Sequence, residues 1–382
     1  MACVILSGEA DVRADDASRS VVSRRFLGSE SCSSSGCHGG AAEYRNQNII
    51  WARYDPHSRG YATLTTARSE RLAEVLTLTN AATSTRCTVC HAPFHELPES
   101  KHVTGLDAKE GISCESCHAP AESWLRGHTR VSSLIVNTQR WDHADCVAAG
   151  MRDLKNLYIR ANSCVACHQT VDTDLLEAGH PELTFELDGQ ACTMRKHWRE
   201  KENWSGAQAW LVGQAVALRE MSWQLSREPV ANAKLAARWS GLLWVLQQGG
   251  YGFEGLPSLA NIALEPRREN YEQALKQSDD LARRAAEMTW SPDMTRKLLS
   301  NLTAPSEAFR QPNPAREVQA RRAERLVLGL ERSSLTLRHT DKSIDVDNEL
   351  SELFKLVQSL PDFRSEDFAQ ALGQFSQKMQ PR

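Results

Sequence analysis

Four times before residue 169 a cysteine is followed directly by a histidine, with another cysteine just upstream: Cys32-Ser-Ser-Ser-Gly-Cys37-His38, Cys87-Thr-Val-Cys90-His91, Cys114-Glu-Ser-Cys117-His118 and Cys164-Val-Ala-Cys167-His168. These units take eight of the 11 cysteines. The last three have the CxxCH spacing of c-type haem attachment, and the first has the same ending with two extra residues between its thiols. Two thiols reach the two vinyl edges of one porphyrin, while the histidine after the second turns its imidazole under the ring to bind iron. Cysteine spacing can stretch; the Cys-His adjacency cannot. Ser33-Ser34-Ser35-Gly36 is flexible enough to loop out. Zinc is the competing reading, because Cys87/Cys90 and Cys114/Cys117 are two CxxC pairs at a ribbon-like separation, but a Cys₄ site has no use for a histidine after each pair. The motifs therefore predict four covalent haems, attached through Cys32 and Cys37, Cys87 and Cys90, Cys114 and Cys117, and Cys164 and Cys167. His38, His91, His118 and His168 are the proximal iron ligands.

The rest of the cysteine and histidine content divides the chain. All cysteines lie at or before Cys192, and 11 of the 12 histidines lie at or before His197, so the remainder contributes only His339. Seven non-motif histidines before residue 200 form a pool of distal ligands. His57 follows an aromatic segment where a helix start could aim it at a flat ring. His128 follows Trp124-Leu125, and His180 sits in the rigid turn Gly179-His180-Pro181. These three are read as ligands, and His95, His102, His143 and His197 as ordinary surface or core histidines. Met151 is an alternative sulfur ligand, with core packing the default. Cys3, Cys146 and Cys192 lack a following histidine and read as small buried or processed residues.

Composition removes other classes. The net charge of −3 with 41% hydrophobic residues describes a core-forming chain with no nucleic-acid patch. No stretch approaches the ~20 apolar residues of a membrane span. No Gly-rich phosphate loop or nucleophile arrangement is evident.

On Ser31-Cys32 to Gly40, Gly111 to Ala121 with Trp124 and His128, Gly179 to Leu187, and Lys196-His197-Trp198, the chain resembles the tetrahaem cytochromes that accept electrons from hydroxylamine oxidoreductase. The similarity covers about residues 30 to 200. It implies that distal ligands are exchanged between segments, with His57 capping the third haem, His128 the first and His180 the fourth. The second haem, on His91, is the one such relatives can leave without a strong distal ligand. Some relatives carry another histidine where this chain has Thr173.

The organisation expected is mainly α. Residues 1–30 read as a poorly ordered leader or signal remnant, residues 31–200 as a tetrahaem domain of short helices and loops wrapped around its haems, and residues 201–382 as an α-helical bundle. Helical periodicity begins near Trp204, continues through Leu235 to Leu246, and predicts further helices at 266–289, 292–302, 315–338, 346–359 and 365–378. The tryptophans at 204, 210, 223, 239, 244 and 290 read as core, and Arg316, Arg321, Arg322 and Arg325 as a solvated helix face.

The leading functional expectation is an exported, periplasmic c-type cytochrome that carries single electrons between redox protein partners, an electron donor and an acceptor. Export follows from where thioether attachment is completed; the sequence lacks a convincing signal, which places the true start upstream. One alternative is a multihaem oxidoreductase acting on a small nitrogen or oxygen species at one open haem, the one on His91. Among nearby imidazoles, only His95, His102 and His143 are left for that iron. Another is a docking subunit that holds a redox complex through the helical half.

Overall fold

The computed structural model describes residues 24–133, 139–200, 202–228 and 232–379, with backbone alone at Cys192. Cys3 and most of the expected leader lie outside the described residues. The described residues form helices joined by loops and no strand. In chain order these are α1 (Gln47–Tyr54), α2 (Gly60–Thr63), α3 (Ala67–Val75), α4 (Thr85–His91), α5 (Cys114–His118), α6 (Leu125–Thr129), α7 (His143–Ala148), α8 (Leu157–His168), α9 (Thr173–Glu177) and α10 (Leu187–Thr193). Seven longer helices follow: α11 (Gly206–Arg227), α12 (Ala233–Gly249), α13 (Arg268–Glu287), α14 (Pro292–Thr303), α15 (Arg316–Arg338), α16 (Asp347–Val357) and α17 (Ser365–Met379).

The chain divides into two compact units. The first contains residues up to Leu154 together with Asp174–His180 and Met194–Arg199. Its helices are short because turn residues and prolines interrupt any apolar repeat, and backbone-to-side-chain bonds do much of the tying. Residues 24–30 belong to this frame: the buried Glu115 carboxylate accepts from the backbone N–H groups of Leu27, Gly28 and Ala121 at 2.8, 2.7 and 2.6 Å. Phe26 bridges to His102, donating its N–H to Lys101 O at 2.8 Å. Cys146, with Ala121 and Trp124, makes a small apolar cluster against which Met151 packs from outside any helix.

The second unit contains Lys155–Thr173, Pro181–Thr193 and Glu200 onward. Helix α8, which ends in the fourth motif, belongs here. Its Leu157, Ala161 and Val165 recur every four residues on one face and join the core, as do Phe185 and Leu187. Asn156 caps its start by accepting from Tyr158 and Ile159 N–H. Tyr158 donates to Asp279 of α13 at 2.7 Å, and Arg219 of α11 reaches both Asp279 and Asn162 of α8. Trp210, Trp239, Trp244 and Trp290 are core residues, while Trp223 stays partly exposed.

One expectation is corrected. Arg316 is exposed, but Arg321, Arg322 and Arg325 are buried, so this run is not a solvated face. Arg325 donates to Phe185 O and Gln214 Oε1, Arg321 pairs with Glu182, and Arg322 stacks over Trp244. Burial pulls the Arg322 and Arg325 guanidiniums down to about 10.

Candidate haem-attachment site

The local structure explains how each motif could present two thiols and one imidazole. In the second, third and fourth motifs a helix ends at the motif histidine: α4 at His91, α5 at His118 and α8 at His168. One helical turn places cysteines three apart on the same face, and the chain leaves the helix at the histidine. The first motif has no helix around its cysteines' spacer. Ser33 to Gly36 loop out in a turn closed by His38 N–H donating to Cys32 O at 3.1 Å and Cys37 N–H donating to Ser34 O at 2.9 Å. The thiols of Cys32, Cys37, Cys87, Cys114 and Cys117 lie outside any disulfide. Among the described residues no three of His, Cys, Asp and Glu gather to hold a metal ion.

An imidazole serves iron best when neutral, with one nitrogen fixed by a hydrogen bond and the other turned to the metal. His38 donates Nδ1–H to Gln47 Oε1 at 2.8 Å. His91 Nδ1 lies 2.9 Å from the Thr63 hydroxyl oxygen, which accepts because its own proton goes to Gly60 O. His168 Nδ1 faces the Gln190 amide at 3.4 Å. The arrangements at His38 and His91 leave Nε2 for iron, whereas at His168 the Gln190 amide nitrogen donates and Nδ1 accepts. Burial lowers the basicity of His91 and drives His118 down to about 4, holding both in the ligand-competent form. Burial likewise lowers His128 and His197.

The structure brings second imidazoles to two of these. Two imidazoles sharing one iron, each about 2 Å from the metal, have ring centroids roughly 6 to 6.5 Å apart. Their interplanar angle is free, because each ring turns about its own metal bond. His38 and His128 stand 6.1 Å apart at 10°, and His91 and His180 stand 6.5 Å apart at 69°. The first pairing matches what the resemblance implies; the second does not, since the resemblance assigns His180 to the fourth haem. His57 donates Nδ1–H to the buried Asp55 carboxylate at 2.9 Å, a bond that fixes the ring and leaves Nε2 for a metal. Burial alone would raise the Asp55 carboxyl, but the bonds from the His57 ring and backbone outweigh it and lower it. The His57 carbonyl accepts from Ile112 N–H at 3.0 Å, and Gly111, at φ +74, lets the backbone just before the third motif approach that carbonyl. A Cβ at Gly111 would stand 2.6 Å from His57 O.

Three histidines are held by their own neighbours: His95 by Glu96, His102 by Val103 O and His143 by Asp153. His197 is different. It is half-buried, its Nδ1 enclosed with no hydrogen-bond partner, close enough to His38, His57, Asp55 and His118 to feel their charges. The sequence signal was the Lys196-His197-Trp198 segment of the resemblance, which carried no ligand assignment. Other orphaned polar atoms sit beside the motifs. Trp124 Nε1, next to His128, and both amide atoms of Gln169, directly after His168, are buried without partners. A bound group carrying carboxylates fits such sites, and the histidine spacing and neutrality fit haem iron.

The family model described as cytochrome c554 and c-prime matches residues 31–119, which contain the first three motifs and none of the fourth. No curated protein and no solved structure matches the chain. Over that segment the chain is similar to c-type cytochromes, and the match supports an electron-transfer protein with covalently bound haem c.

Proposed function

We propose that this protein is an exported tetrahaem c-type cytochrome that carries single electrons between a donor and an acceptor protein. Haem supplies reversible one-electron chemistry at iron. The polypeptide attaches it through Cys32 and Cys37, Cys87 and Cys90, Cys114 and Cys117, and Cys164 and Cys167, with His38, His91, His118 and His168 as proximal ligands. The observation that carries the reading is the set of buried or tethered motif imidazoles, one of which, His38, meets His128 at the spacing two axial ligands require. His57, oriented by Asp55 and tied to the segment preceding Cys114, is the proposed distal ligand of the third haem. The first and third sites are neighbours, with the Cys32 and Cys114 sulfurs within hydrogen-bond reach of each other. Thiols belonging to two attachment sites in contact bring two haem edges together, as an electron relay needs. Among the described residues no helix is long and apolar enough to cross a membrane.

Intact mass of the purified protein tests the reading directly. The mass exceeds that of the polypeptide by four haems, and Cys37→Ala disrupts only the first. A wild-type mass fitting three haems removes the stretched motif from the proposal.

A further inference from the structure

His180 stands at the end of a short segment that begins in α9, and three bonds fix this segment around the second motif. Arg86, immediately before Cys87 in α4, pairs with Asp174 at 2.6 Å. Arg68 of α3 donates to Gly179 O at 2.9 Å, and His180 N–H donates back to Leu175 O at 2.9 Å. The helix that presents His91 therefore also holds the loop that presents His180. Thr63 holds Nδ1 of His91, which leaves Nε2 as the nitrogen for iron. Their centroid separation of 6.5 Å falls in the range for two imidazoles on one iron, and the 69° between planes is compatible with two rings that share only the metal axis.

We infer that His180 is the sixth ligand of the haem attached at Cys87 and Cys90, so that the iron on His91 is closed by two imidazoles. The inference rests on the second motif being a haem site. It departs from the resemblance, which gives His180 to the fourth haem, and it replaces the expected open iron on His91 with a low-spin one. Small-molecule chemistry at that haem then has no coordination position to use. Arg86 acts as a positioning residue through Asp174.

The test uses the haem-loaded protein with His180→Met and Thr63→Val, singly and combined. Exchanging imidazole for thioether gives one haem a sulfur-to-ferric-iron charge-transfer band and raises its midpoint potential. Removing the acceptor of the His91 Nδ1 proton raises a potential by a smaller amount. If the assignment is right, a redox titration shows both substitutions moving the same single component. In the unsubstituted protein that component is low-spin and does not bind carbon monoxide when reduced. Movement of two different components overturns the assignment, as does a His180→Met protein with unaltered spectra and potentials. Carbon monoxide binding to that component in the unsubstituted protein also overturns it. The haem count from intact mass separates this from the underlying reading: a count lacking the haem at Cys87 and Cys90 overturns both, whereas a full count with two displaced components overturns the assignment alone.

Discussion

The two units differ in what holds them together. In the second, buried apolar residues run in one cluster from Leu157 to Phe375, with Trp210, Trp239, Leu242 and Phe368 fully enclosed. In the first, the apolar cluster around Ala121, Trp124 and Cys146 is small, and buried polar atoms near the motifs lack partners. Stabilisation by burial scales with apolar area at about 25 cal/mol per Å², so a unit of short helices without a continuous core depends on something else. Under the proposed function that something is four apolar plates, each bonded to its own segment and most ligated by another. On that proposal, one chain carries a self-sufficient core in one unit and a core made of cofactor in the other.

The largest effect expected is that of withholding haem. In cells unable to attach it, the first unit should lose its protease protection entirely while the second keeps its helices. Limited proteolysis with circular dichroism reads both. A protected first unit without haem would end the contrast.

Next in size is the debt of the second unit to residues before 200. Phe185→Ala should cost about 3–5 kcal/mol in urea unfolding of that unit, because it empties a fully buried aromatic site. A fragment starting at residue 155 should be markedly more stable than one starting at 200. Equal stability of the two fragments would detach α8 from the bundle.

A smaller effect comes from Glu186, whose carboxyl burial raises to about 7 despite the nearby Arg332. Its folded value lies above the unfolded one, so between about pH 4.5 and 7 the folded unit holds more proton than the unfolded chain. Stability therefore falls as pH rises through that window, by at most about 3 kcal/mol. Glu186→Gln should flatten the profile there; an unchanged slope would assign it to another group.

The smallest expected effect sharpens the first unit. Gln47→Leu removes the acceptor for His38 Nδ1–H, weakening that imidazole as an electron donor, so the first haem's potential should rise by about 40 mV, the equivalent of one hydrogen bond. No shift in any component would mean that Gln47 does not tune this ligand.

The helical half was legible because its signals are local. The spans expected at 266–289, 292–302, 315–338, 346–359 and 365–378 correspond closely to α13 through α17, since amphipathic repeats end near prolines and capping residues such as Ser291. What was illegible depends on partners distant in sequence. Arg325 looks like a surface charge until Phe185 O and Gln214 arrive to satisfy it. Helix α8 has apolar residues at helical spacing, but they lie in the same segment as the fourth Cys-His motif, and the core they join is built from helices later in the chain. The motif histidines are marked in the sequence by Cys-His adjacency, and their role as ligands is part of the proposal. Which distal imidazole reaches which of them could not, because the Arg86–Asp174 pair that carries His180 to His91 joins side chains with no local pattern.

The placement of α8 also imposes an order in time. Its Cys164 already rests against the core of the second unit, yet the helices that clasp α8 through Arg219 and Asp279 lie later in the chain. Until those helices pack, the fourth motif is an accessible peptide; afterwards it is the last turn of a clamped helix. Under the proposed function, haem must reach this site before the bundle closes on α8, and slower closure lengthens the period in which attachment succeeds.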